Sequence, residues 1–597
     1  MRYCSRSTLS VALLLSALIV PRVILAQGTQ PAPAVKTWVT RSNENAQVLL
    51  GIQAKFSPEG AGRLGISGLD EQILDLQPDT NERLRVALSK AETELKSRLA
   101  KETDPPVRQD LEILLQATQN NQRGNQLAEK YEVPYLNATR LVFGGVRGLL
   151  DDQVPPERRK AALVRLKRYA GLEAGYTPIT LQAEARIREK LGKSGLLPPI
   201  KSEVERDLAT TTFFIDGIGQ LFAKYQIVGY EEPYTKLKAQ LQAYNDFLRQ
   251  EVLPKARTDF REPPEEYAFS LEQLGVDIPP EQLARQAHAA FDQIQKEMQT
   301  LASRIAQEKG LSVTDYREVI RTLKKDQLVG EAILPHYQQR LAQIEDIIRR
   351  EHLVTLPTRA ARIRLASPAE SAATPAPNMR PPRLIGNTGE LGEFVLPLNV
   401  PTNGAETQKP DDYTYAAASW TLTAHEARPG HELQFASLIE NGVSTARGVF
   451  SFNSTNVEGW GLYSEHILQP YMPAEGRLVS LQLQLLRAAR AFLDPELQAG
   501  KTTPAAALSF LQKEVVVSLP FATQEVERYT FTAPGQATSY FYGYTRLLAL
   551  RTETEHLLGK NFDQQKFHDF ILAQGLLPPA LLRKAVLEGF VKGKSTQ

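Results

Sequence analysis

Apolar residues recur three or four positions apart, between charged ones, over residues 82–100, 158–169, 234–252, 281–307 and 332–352. That spacing lays one apolar stripe along a helix of roughly 3.6 residues per turn. Few stretches alternate with period two, so the pattern up to about residue 365 predicts a helix-rich body. The pattern changes at 367–383, which is rich in Pro, Ala and Ser and reads as a loop or as a junction between two lobes. Leu384 to Val400 holds short apolar pieces, with 393–398 the candidate strand or sheet edge. Helical spacing returns from Tyr413 to Ile439, stops at Asn441-Gly442, and is interrupted once, by Pro429-Gly430. Further helices are predicted at 456–469, 474–492, 504–517, 520–531 and 536–557, and no internal repeat is present. The pattern as a whole predicts a mainly α fold with few short strands.

The first 26 residues follow a different logic. Arg2 and Arg6 precede an apolar run from Thr8 to Val20, and Ala26 offers a cleavage point. This is the layout of a secretory signal peptide, and the run is too short to span a bilayer. Residues 27–35 read as a flexible leader, and residues 36–597 as a single helical catalytic domain, with 367–383 a loop on it or a boundary between two lobes. The expected location is therefore periplasmic or extracellular, with no stable membrane span once the signal is removed. The one cysteine, Cys4, falls within the signal, so disulfides, cysteine metal sites and a cysteine nucleophile are excluded downstream. The chain carries 70 basic and 68 acidic residues, and removing Arg2, Arg6 and Arg22 leaves 67 against 68. A nearly neutral chain has no global field for nucleic acid or an anionic membrane, so its chemistry has to be local.

Local chemistry concentrates at His425-Glu426-Ala427-Arg428-Pro429-Gly430-His431. A catalytic zinc needs three protein ligands, often two His and a carboxylate, an open position for water, and a second carboxylate to take that water's proton. In the H-E-x-x-H pattern the two His are four apart, on one helix face. Here His431 follows His425 by six positions, about 120° around a regular helix. Pro429 removes a backbone donor and Gly430 tolerates unusual dihedrals, so the pair predicts a kinked or widened helix that brings the histidines together. The competing reading makes them two polar residues of a half-buried helix. Against it, the chain has only 8 His, and this pair adjoins a glutamate and a helix-breaking dipeptide that a purely structural helix would avoid. The third ligand is expected to be Glu458, 27 residues past His431, a distance that lets one helix end and a second return beside it. Glu465, two turns further on the same face, is a reserve ligand or a partner that orients a histidine.

The strings HEARPGHELQ at 425–434, EGWGLYSE at 458–465, EVERY at 525–529 and PGQATSYFYG at 534–543, with SPEGAGRLGISGLDEQILDL at 57–76, resemble the bacterial domain-of-unknown-function family 885, a zincin-like group. The resemblance extends over nearly the whole chain. It implies a large helical metallohydrolase of the gluzincin-peptidase type with a deep central cleft. Carried over residue by residue, it implies that His425, His431 and Glu458 hold Zn2+ and that Glu426 is the general base. Arg428 and Gly461 differ from the residues common among relatives, and neither is expected to touch the ligands.

The expected activity is cleavage of a peptide or small amide substrate, with Glu426 taking a proton from the activated water and returning it to the leaving amine. An oxyanion donor from another helix completes such a site. Tyr540 is the first candidate and Tyr542, Tyr544 and Tyr529 follow it, although tyrosines at helical spacing ordinarily pack as core. Arg528 either binds a substrate carboxylate or pairs with Glu525. Gln536, in the same motif as Tyr540, is a further candidate contact. The rival functions are a zinc hydrolase of non-peptide amides or esters, and a non-catalytic binding protein with a degenerate site. The GAGRLG string at 60–65 has no preceding strand and opens no helix, so it reads as a loop and not as a dinucleotide site.

Overall fold

In helix Pro280–Lys309, Leu283, Ala287, Phe291, Met298, Leu301, Ala302 and Ile305 form one buried stripe. Pro280 opens the helix, where its missing N–H costs nothing, and Gly310 closes it at φ +66°, a conformation natural to glycine. The computed structural model describes residues 36–398, 400, 401, 407, 408 and 410–595. These are mainly helical. Thr80–Lys101, Ala161–Tyr169, Glu231–Phe247 and Ile333–Arg350 are the other helices that the periodicity predicts before residue 365. The expected signal peptide and leader, 1–26 and 27–35, lie outside the described residues. No helix among the described residues is long and apolar enough to cross a membrane.

Strand β3, Glu393–Leu396, lies within the predicted apolar piece and is fully buried. It pairs in parallel with β1, Arg362–Leu365, and antiparallel with β2, Asn378–Arg380, so that Phe394 faces Ile363 on one side and Met379 on the other. The stretch 367–383 is more ordered than its composition predicts. Ser367 accepts a hydrogen bond from the Glu370 N–H, and Glu370 reaches back to the Ser367 N–H, so the two residues cap helix Pro368–Ala373. Arg147, Arg364 and Arg380 then hold the Glu370 carboxylate. A reading by composition misses the stretch because it weighs residue types and passes over the capping signal of Ser367 three residues before Glu370, and because Arg147 comes from a distant helix.

The element that places the site is helix Ala474–Gln498. Nearly all of its residues are buried, the mark of a helix packed on every side. It lies against Pro280–Lys309, Ala416–Leu422 and Thr538–Leu558. Beside it, helix Ser454–Leu468 crosses Thr538–Leu558 backbone to backbone. A Cβ on Gly459 would stand 2.7 Å from the Gly543 carbonyl carbon, and one on Gly543 would stand 2.0 Å from the Thr455 oxygen. This crossing sets the distance between the helices that carry Glu458 and Tyr540. Gly543→Ala is therefore expected to force the helices apart and to lower stability by about 1–3 kcal/mol, the usual cost of overpacking a core. Urea unfolding measures this, and an unchanged midpoint would show that the crossing relaxes freely.

Candidate metal centre

Helix Ala416–Leu422 runs directly into a π-turn, Thr423–Ala427, which carries His425 and Glu426. Arg428 is then extended, at φ −126° and ψ 135°, the Arg428–Pro429 peptide is cis, and a separate helix, His431–Glu440, begins at the second histidine. The predicted widening is present as the π-turn. The predicted single kinked helix is instead two helices with a break between them. The reason is steric: a Cβ on Gly430 would lie 1.9 Å from the His425 carbonyl oxygen and 2.4 Å from that of Ala424, so the chain folds back at a point only glycine can occupy. Arg428 braces the break, donating from Nε to Glu432 at 2.7 Å, from Nη1 to Glu345 at 2.7 Å and from Nη2 to the Arg359 carbonyl at 2.6 Å. Trp460 Nε1 donates to the Pro429 carbonyl at 3.0 Å, tying the break to the Glu458 helix.

The break turns His431 toward His425. Their Nε2 atoms are 3.1 Å apart, and Glu458 Oε2 lies 3.4 Å from the first and 3.3 Å from the second. Three ligand atoms around a tetrahedral metal, at bonds of about 2.0–2.1 Å, stand about 3.3 Å from one another. These residues therefore have the atom types and separations of a three-ligand metal site, and Glu458 Oε2 is buried with no hydrogen-bond partner among the described residues. The electrostatics favour positive charge at the same point. Burial alone would lower the His425 imidazole, but Glu458, Glu465 and Glu426 lift it to about 9. Burial alone would raise Glu458, and the two histidines hold it well below the usual carboxylate range.

Around this triangle the positions are narrowly set. Glu465 does not reach the triangle; its Oε1 meets His425 Nδ1 at 2.8 Å, which leaves Nε2 facing the convergence point. Thr421 Oγ1 donates to Glu465 at 2.5 Å and Arg487 Nη2 donates at 3.1 Å. Gly461, expected to lie clear of the ligands, in fact supports the His425 ring, since a Cβ there would be 2.6 Å from its Cε1. Arg428 does stay clear of them. Glu426 is buried beside both histidines, and burial raises its carboxyl above the usual range against their influence and that of Arg487.

Of the four tyrosines singled out by sequence, Tyr540 is the one beside the cluster. Its ring is nearly parallel to that of His425, with centroids 6.4 Å apart. Burial and the Glu458 charge push its phenol above the ordinary value, against Arg528 and Arg490. The other three are engaged elsewhere: Tyr542 donates to Asp277, Tyr544 pairs with His466 Nδ1 at 3.1 Å, and Tyr529 donates to Glu525 at 2.8 Å. Gln536 donates to Ser454 at 3.1 Å, at the start of the Glu458 helix. Glu525 is taken mainly by Arg490, which grips both oxygens at 2.7 Å, while Arg528 approaches to 3.5 Å. Arg487 and Arg490 escaped the sequence reading. The available signal was that Arg487, Arg490 and Asp494 recur three and four apart in a stretch, 478–495, that carries no other charge.

A family model described as "Bacterial protein of unknown function (DUF885)" matches residues 58–586. Among solved structures, the chain is similar to "the putative lipoprotein from Colwellia psychrerythraea", with 19% identity and a TM-score of 0.72, over 92% of this chain and 99% of that one. It is also similar to "a putative lipoprotein of unknown function from Shewanella oneidensis", with 18% identity and a TM-score of 0.67, over 92% of this chain and 100% of that one. At these identities the likeness shows a shared helical fold. No curated protein matches the chain significantly.

The Arg490–Glu525 pair yields two expectations. Removing one partner strands a buried charge, so Arg490→Met is expected to cost about 3–5 kcal/mol in urea unfolding. Burial would raise Glu525, but Arg490, Arg528 and Tyr529 pull it from 4.5 down to about 2. A lowered folded-state value means that its contribution is complete above about pH 4.5 and is lost as the pH falls toward 2. Unfolding free energies measured from pH 5 to pH 2.5 should therefore fall more steeply for the wild type than for Arg490→Met. Parallel slopes would show that Glu525 does not govern the acid limb.

Proposed function

The chain belongs to this bacterial family of unknown function, and from that premise we propose that it is an exported zinc-dependent peptidase. The observation that carries the reading is the convergence of His425 Nε2, His431 Nε2 and Glu458 Oε2 to within 3.1–3.4 Å of one another, with Glu426 buried alongside. Two histidines and one carboxylate are the donor set of many catalytic zinc sites. The finer fold reading goes with it: a zincin-like body of the gluzincin type, with the site in a cleft between helices. Export is supported by the Arg2, Arg6, Thr8 to Val20 and Ala26 pattern and by the description of both similar structures as lipoproteins.

Zinc bound by His425, His431 and Glu458 supplies Lewis acidity, lowering the pKa of water toward neutrality and polarising a substrate carbonyl. The chain's own residues perform the rest. Glu426 accepts the proton of the attacking water; its raised pKa suits it to hold that proton and return it to the leaving amine. Glu465 fixes the tautomer and orientation of His425 through Nδ1. Tyr540, protonated at neutral pH as a phenol ordinarily is, offers a hydroxyl donor beside His425 for the oxyanion.

Metal analysis and a peptide-library digest test the reading together. Purified wild type is expected to hold zinc stoichiometrically and His431→Ala to lose it. Glu426→Gln should keep the metal and lose hydrolysis by about 10²–10⁴-fold, the usual worth of a positioned general base. Glu465→Gln should bind zinc about 10–100-fold more weakly. A wild type without metal, or full activity in Glu426→Gln, would end the proposal.

A further inference from the structure

Four arginines surround the candidate centre, and they differ in what they are offered. Arg428 has Glu432, Glu345 and a carbonyl. Arg490 occupies both oxygens of Glu525. Arg487 reaches Glu465; it has further N–H groups without partners, but its side chain is only 6% exposed. Arg528 has a distant share in a carboxylate that Arg490 already holds, at 3.5 Å, and its Nη1 is buried with no hydrogen-bond partner among the described residues. Yet its side chain retains 22% exposure and that of Glu458 17%, whereas Glu525 has none. A cationic N–H held out of water without an acceptor is costly, and the cost is removed when an anion arrives.

Position identifies the anion. The Tyr540 ring lies nearly parallel to that of His425, with centroids 6.4 Å apart, and the Arg528 guanidinium carbon lies 5.9 Å from the same ring. Tyr540 thus lies near both, and the guanidinium carbon stands no farther from the His425 ring than those two distances added together, a span that up to about three extended peptide residues cover at roughly 3.3–3.6 Å each. A planar guanidinium matches a carboxylate in shape and charge. Building on the peptidase reading, we propose that Arg528 receives the free C-terminal carboxylate of the substrate, making the protein a carboxypeptidase-type enzyme that removes one or two residues from a chain end. The reaction is hydrolysis: water adds across one C–N bond, the shortened peptide keeps the new carboxylate, and the released amino acid or dipeptide carries the new amine. Arg528 holds the terminal carboxylate and takes no part in the proton transfers.

The test uses the full chain and two probes, a mixture of N-acetylated tripeptides as free acids and the same mixture as C-terminal amides. Binding is read from the thermal upshift of the Glu426→Gln protein, and cleavage by the wild type is read by mass spectrometry. The free acids are expected to bind and to be cleaved at least about tenfold better, as a charge-assisted contact implies. Arg528→Gln should abolish this preference mainly through KM, and Arg528→Lys should keep part of it. Equal upshifts or equal kcat/KM for acids and amides, no upshift with the acids, or a preference that survives in folded Arg528→Gln would overturn the assignment. The acid-to-amide comparison on protein with Arg528 intact decides the matter even if the Arg528 variants fail to fold. An acid preference in binding without any cleavage would sink the peptidase reading and leave the carboxylate site standing. Equal cleavage of both mixtures would do the reverse.

Discussion

The architecture around the candidate centre depends on the pairing of charges in a helix buried along nearly its whole length. Ala474–Gln498 is packed on all sides and still carries Arg487, Arg490 and Asp494. A charge in such a place is tolerated only when neighbouring elements bring it a partner. Arg487 meets Glu465 on the Glu458 helix, and Arg490 meets Glu525 on helix Leu519–Glu527. Asp494 is held differently: burial pushes its carboxyl up to about 8, so that at neutral pH it is largely uncharged, bonded to Tyr267 and to the Gly535 N–H just before the Tyr540 helix. Each pair does little for net stability against an apolar substitute. Each does fix how far one helix can slide along another, and those helices carry Glu458, Arg528 and Tyr540.

Two close backbone approaches complete that positioning. At Gly430 the chain folds back onto the π-turn, so that the second histidine opens a new helix and does not continue the old one. At Gly459 and Gly543 two helices touch without side chains between them. The geometry of the His425, His431 and Glu458 triangle is therefore set by rigid elements braced from outside, through Arg428, Trp460 and Glu465. A site held in this way can keep ligand atoms poised with little reorganisation, the condition under which electrostatic catalysis is effective.

The charge pattern joins the proposed chemistry to the proposed substrate. The chain is close to neutral as a whole, with 70 basic and 68 acidic residues. At the centre the charges are segregated: Glu426, Glu458 and Glu465 gather around the histidines, and Arg490 and Arg528 lie over the Tyr540 ring. The carboxylates thereby suit the histidine cluster to a cation, and the arginines near Tyr540 suit that neighbourhood to an anion. A peptide end lying across that boundary would present its carbonyl to the first and its carboxylate to the second.

The mainly helical fold was legible in the sequence because helix periodicity is a local property, and stripes such as Leu283 to Ile305 need no knowledge of what they pack against. His425, Glu426, His431 and Glu458 were legible because chemistry restricts which residue types can stand together, and the helix-breaking Pro429-Gly430 between the histidines announced a distortion. The form of that distortion was not legible. Gly430 permits the fold-back, but the break is held by Arg428 bonding Glu345 and by Trp460 bonding Pro429, contacts 83 and 31 positions apart. The roles of Gly461, Arg487 and Arg490 were hidden for the same reason, whereas the capped helix inside 367–383 had a local signal, Ser367 three residues before Glu370, that the Pro, Ala and Ser-rich composition masked. Sequence alone determined which residues were capable of the chemistry. Tertiary structure decided which of the tyrosines stands beside His425 and which arginine combines an unpaired N–H with partial exposure, because the pairing of a buried charge is settled only when all of its competitors are in place.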